Sequence, residues 1–179
     1  MDSSAKSLNL FLAKIFGFYL FWLVSENFLS HELVFYNRLW AFFYHIFLQI
    51  VHGGSELALQ LMGYETISGY NSLAIVGSYG VIIGNPCVGF GLTYGFSALI
   101  ISYPGPWKKK LWFIPAGAAF ISAVNIARVV SLITSSYKIG SFVKMEQHDL
   151  FNNMIYIVIF LLWVVWVKFI VDSKKKVAA

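Results

Sequence analysis

Charge is scarce in this chain. Only 12% of its 179 residues are Asp, Glu, Lys or Arg, about half the share found in an ordinary soluble domain. With 59% hydrophobic residues and a mean hydropathy of +0.72, a soluble globular reading is excluded and one small integral membrane domain, residues 1–179, is expected. A second cysteine is lacking as well, so Cys87 can form no internal disulfide. No HExxH pattern occurs: His45 and His52, seven apart with Gln49 and Glu56 between them, argue weakly for a metal or haem, and no cofactor or metal is expected. The first apolar stretch has no small-x-small cleavage site, which favours an uncleaved anchor over a signal peptide.

The basic residues are concentrated. Six of the 13 Lys and Arg fall in two runs, Lys108 to Lys110 and Lys174 to Lys176. Runs of this kind beside apolar segments are topology signals before they are a nucleic-acid footprint. The apolar stretches 88–103, 111–133 and 150–171 place both runs on one side, the cytoplasmic one, and 8–28 reads as an anchor helix. The expected fold is an α-helical membrane protein of about four transmembrane helices in a bacterial inner (cytoplasmic) membrane, both termini cytoplasmic.

Between the anchor and Pro86 the pattern differs. His45, Gln49, His52, Glu56 and Gln60 recur every three or four residues among Phe42, Phe43, Ile46, Phe47, Ile50, Leu57 and Leu61, the period of an amphipathic helix. Residues 36–62 are expected to form an interfacial helix region on the outer face, as one helix or as two that meet at Gly53-Gly54. Leu73 to Val76 and Val81 to Ile83, separated by Gly77-Ser78-Tyr79-Gly80, predict a β-hairpin over 70–84.

This topology brings three chemically distinct groups to the outer level. Cys87 opens one span. Arg128 lies 17 residues beyond Leu111, about 25 Å up a helix rising from the cytoplasm. His148 precedes the last span. A thiol is a nucleophile only as the thiolate, with an ordinary pKa of about 8.5. His148 can take its proton and return it to a leaving amine, while Arg128 steadies the thiolate or an oxyanion. Taken singly, each has a plainer reading: Cys87 as a small buried apolar residue, Arg128 as helix-packing glue satisfied by Asn125, His148 as a loop residue.

Together, Cys87-Val88-Gly89, Asn125-Ile126-Ala127-Arg128-Val129 and His148-Asp149-Leu150-Phe151-Asn152 resemble, over about 63–171, the exosortase and archaeosortase family of membrane-embedded cysteine transpeptidases, in its compact bacterial branch. The resemblance implies an enzyme that cleaves C-terminal sorting signals of exported proteins through a thioester and transfers the new carboxyl end to a cell-surface lipid or glycan acceptor. Its partners would be membrane-tethered proteins ending in a short motif, an apolar helix and a basic tail. By that carry-over Cys87, Arg128 and His148 are catalytic, with Asn125, Asn152 and Gly89 supporting them. The alternative is a non-enzymatic membrane subunit whose Arg128 and Asn125 serve packing or partner binding.

Overall fold

The structure, a computed structural model, describes residues 3–26, 34–139 and 145–171. Helix α1 (Ser3–Val24) and the long helix α2 (Val34–Leu61) precede three short strands, β1 (Thr66–Ser68), β2 (Ser72–Ile75) and β3 (Val81–Ile82). The one-turn helix α3 (Asn85–Val88) leads into α4 (Phe90–Ser102), α5 (Trp107–Ile139) and α6 (Met145–Val165), whose end widens into a π-type turn from Trp166 to Val171.

The expected four transmembrane helices do not hold. A helix forms in each of the four apolar stretches, but α5, 33 residues long, is the one described helix long and apolar enough to cross a bilayer alone. The left-handed Gly89 (φ 75°) separates α3 from α4, so the stretch expected over 88–103 yields only 13 continuous helical residues. That is about 20 Å of rise against a hydrocarbon core of about 30 Å. In α6 the first turns are spent on Glu146, Gln147, His148, Asp149, Asn152 and Asn153, which leaves Met154–Lys168 as its apolar part. In α1 that part is Leu8–Val24. The end of the anchor expected at 27–28 and the run Lys174 to Lys176 lie outside the described residues.

Helix α2 runs unbroken through Gly53-Gly54. Rather than breaking the helix, Gly54 faces Ile126 of α5 and lets the two helices approach. Part of the polar stripe of α2 meets the sheet and its leading turn, while Gln49 and Gln60 stay exposed. Tyr70 hydrogen-bonds His45, the His52 ring meets the Ser72 carbonyl at 3.3 Å, and Thr66 bridges Gln60 and Glu56 at 3.3 and 3.4 Å. Phe42, Phe43, Ile46, Ile50 and Leu57 remain exposed on the other side, an apolar stripe suited to lying on an apolar surface.

The expected hairpin is present as β2 and β3, paired antiparallel with Leu73 opposite Val81. A third strand, β1, pairs on the other side of β2 with Ile67 opposite Ala74. Alternation along β2 turns Leu73 and Ile75 inward. They join Leu48, Val51, Leu59, Ile83, Cys87, Val88, Val129 and Ile133 in one buried cluster. A second cluster, Phe96, Ile100, Phe113, Ile121 and Trp166, holds α4, α5 and the end of α6 together. Between the two, Trp22 of α1 meets Trp40 of α2 and Tyr94 of α4 at ring-centroid distances of 4.9 and 4.8 Å.

The turn between α4 and α5 is fastened by a lysine. Lys110 is buried, and its ammonium donates to the carbonyls of Ile101 (2.8 Å) and Tyr103 (2.7 Å) at the end of α4. Those carbonyls lack intrahelical donors, so a side chain read from sequence as a topology signal also caps a helix.

Candidate functional site

Cys87 sits in a turn built by its neighbours. Extended Gly84 caps α3 and Pro86 occupies the first turn, where a missing N–H costs nothing. The Cys87 N–H donates to the Gly84 carbonyl at 2.8 Å. Two residues later Gly89 turns left-handed and α4 begins, its Thr93 N–H donating to the Gly89 carbonyl at 2.9 Å.

This turn packs against the Asn125–Val129 segment of α5. Arg128 is 2% exposed and Asn125 is fully buried. A Cβ on Gly89 would collide with the Asn125 amide nitrogen, so Gly89 is required twice, by its φ and by the lack of room. Among the described residues, neither the oxygen nor the nitrogen of the Asn125 amide has a hydrogen-bond partner. The sequence suggested that Asn125 satisfies Arg128; the amide makes no such bond.

Cys87 is 3% exposed. Burial pushes its thiol above the ordinary value, and the Arg128 guanidinium, followed by the backbone hydrogen bond at Gly84, pulls the other way with less effect. Arg128 thus pulls the thiol in the direction opposite to burial, and burial outweighs it.

Of the expected site residues, the structure brings Cys87, Gly89, Asn125 and Arg128 together. His148 and Asn152 lie by their backbones in the first turns of α6; their side chains fall outside the described part. Tyr44 of α2 was not anticipated. It packs on the cluster that holds Cys87, and its hydroxyl is raised by burial first, then by Tyr70 and Cys87. Its position one residue before His45 was its only sequence signal. Among the described residues no group of three or more His, Cys, Asp or Glu is placed to hold a metal, and His45 and His52 are engaged with the sheet.

An open groove of about 680 Å³ leads to this turn. Helices α1 and α6 pack on α4 from two sides, and Gly91, Gly95 and Ala98 form part of the floor between them. Tyr44, Asn85 and Gly89 also line it, next to the thiol-bearing turn. The chain matches no known family, no curated protein and no solved structure. Its chemistry is therefore argued from its own residues. A buried thiol under the electrostatic influence of a buried guanidinium, in a turn whose Asn85 and Gly89 line an apolar groove, is an arrangement suited to adding a thiolate to a carbonyl in a water-poor setting.

Proposed function

We propose that this chain is a membrane-bound cysteine peptidase and transpeptidase of the exosortase type, acting on exported proteins with a C-terminal sorting signal. The observation that carries the reading is the burial of the Asn125 amide against Gly89, with the Arg128 guanidinium one helical turn on pulling on the Cys87 thiol. His148 accepts the thiol proton, and the Cys87 Sγ adds to the scissile carbonyl. The tetrahedral intermediate collapses to a thioester as the C–N bond breaks, and the proton leaves with the amine. Water or an acceptor nucleophile then releases the acyl group. The place of action is the outer face of a bacterial inner membrane, with α5 as the membrane-crossing element. An apolar substrate helix held in the same bilayer raises the effective concentration of its motif beside the thiol.

The test compares the membrane proteins of cells carrying the chain with those of cells carrying Cys87→Ala, Arg128→Ala or His148→Ala. The expected outcome is a set of exported proteins that keep their terminal apolar helix and basic tail in each variant and lose them otherwise. Identical C-termini in all strains would remove the enzyme reading.

One observation favours a second reading, a non-enzymatic membrane subunit: Cys87 is a buried member of an apolar cluster, with its thiol pushed up by that burial. On that reading Cys87→Ala leaves both the protein and its host unchanged.

A further inference from the structure

We propose that the side-chain amide of Asn125 is the oxyanion donor for acyl transfer at Cys87. The inference rests on the acyl-transfer reading and adds a residue to its machinery. Sequence alone gives Asn125 only a supporting place, one helical turn before Arg128.

Buried amides in folded proteins are hydrogen-bonded as a rule, because leaving donor and acceptor unpaired away from water costs stability. Asn125 breaks the rule at both atoms while fully buried. A residue of this kind holds no structure together by hydrogen bonding, and an apolar side chain of the same shape would serve the packing better. Its position is also specific. The amide nitrogen lies against the Cα of Gly89, where any side chain would displace it. Gly89 is two residues beyond the thiol and lines the open groove between α1, α4 and α6. The Gly89 carbonyl is taken by the Thr93 N–H, so the turn itself leaves the amide unengaged.

Addition of the Cys87 thiolate to a carbonyl moves the π electron pair onto oxygen. A preorganised N–H beside that oxygen stabilises the charge as it develops, and removing one such donor slows acyl transfer by about 100-fold or more. Among the described residues this N–H has no bond to give up.

Cys87 is the sole cysteine, so simple reagents report on it in the full-length protein in detergent. p-Nitrophenyl acetate acylates a thiolate through a tetrahedral oxyanion, with p-nitrophenolate leaving as the C–O bond breaks. Iodoacetamide alkylates the same thiolate by displacing iodide, and no oxyanion forms. Asn125→Leu, similar in shape and without donors, is expected to lower acylation about 100-fold, leave alkylation unchanged and unfold no earlier than the parent on heating. Asn125→Ala is expected to show the same split should the leucine variant fail to fold. Equal losses in both reactions would assign Asn125 to positioning the thiol and overturn the proposal, as would no loss in either. If parental Cys87 is acylated no faster than free cysteine in the same micelles, the acyl-transfer reading fails and the proposal with it.

Discussion

Gly54 of α2 and Ile126 of α5 set the approach of the two helices: a Cβ at Gly54 would stand 2.5 Å from the Ile126 Cδ1. Ile126 lies between Asn125 and Arg128, so this seam holds the site helix at its distance from α2. The obstructing atom is the far end of a flexible side chain. Gly54→Ala is therefore expected to be near neutral, its helix propensity gain of about 1 kcal/mol offsetting a small rearrangement. Gly54→Leu is expected to cost about 1–3 kcal/mol, and Ile126→Ala on top of it to recover part of the loss. Unfolding midpoints in detergent for the three proteins check this.

The lysines of the α4–α5 turn are not equivalent. Lys110 is 4% exposed and bonded to two carbonyls, whereas Lys108 and Lys109 are exposed. Lys110→Met leaves those carbonyls without a donor and is expected to destabilise by about 1–3 kcal/mol. Lys108→Ala and Lys109→Ala are expected to stay within about 0.5 kcal/mol of the parent. A denaturant series on the three variants decides it.

The thiol of Cys87 carries a pH signature of known sign. Burial raises it and Arg128 pulls it down, so maleimide labelling of the resting protein should have its midpoint above the ordinary thiol value of about 8.5. Arg128→Gln should move that midpoint higher still. Because the folded pKa exceeds the unfolded one, the thiol's contribution to stability is complete below the unfolded value and is lost as pH rises through the folded value. Cys87→Ala should flatten that alkaline decline. A labelling midpoint below the ordinary thiol range, or one unmoved by Arg128→Gln, would contradict the electrostatics of the site.

Tyr70 and His45 tie the sheet to α2. Tyr70→Phe removes the hydroxyl and keeps the ring, with an expected cost of about 0.5–1.5 kcal/mol. The effect should be local: faster hydrogen exchange at the amides of β1 and β2, with α5 unchanged. Processing of a substrate should survive it, since neither residue belongs to the proposed catalytic set.

The helical segments were legible because long apolar runs and a 3.6-residue period survive in sequence. Their status as membrane spans was not: the break at Gly89 depends on a left-handed φ, and nothing in Cys87-Val88-Gly89-Phe90 fixes that without the packing of Asn125. The polar stripe of α2 is legible from its period, but the sheet that meets part of it is not. His52 and Glu56 look alike to a periodicity argument whether they face water or a sheet, and β1 is only three residues long. At the site, Cys87 and Arg128 were placed at one level by counting helical rise. The pull of Arg128 on the thiol, and the lack of a partner for the Asn125 amide among the described residues, needed the fold.

Helix α5 has more length than a membrane asks of it. Its 33 residues rise about 50 Å, some 20 Å more than the hydrocarbon core. Near its far end Ser136 donates to the Tyr79 carbonyl and Tyr137 stacks edge-on with Tyr64, so the surplus length is where the sheet's turns are held. On the proposed membrane placement, with Lys108 and Lys109 at the foot of α5, bilayer thickness would set the height of the sheet and of the Cys87 turn above the headgroups. Hydrophobic mismatch, relieved by tilting α5, would then lower both together, making lipid chain length a variable that this site can feel.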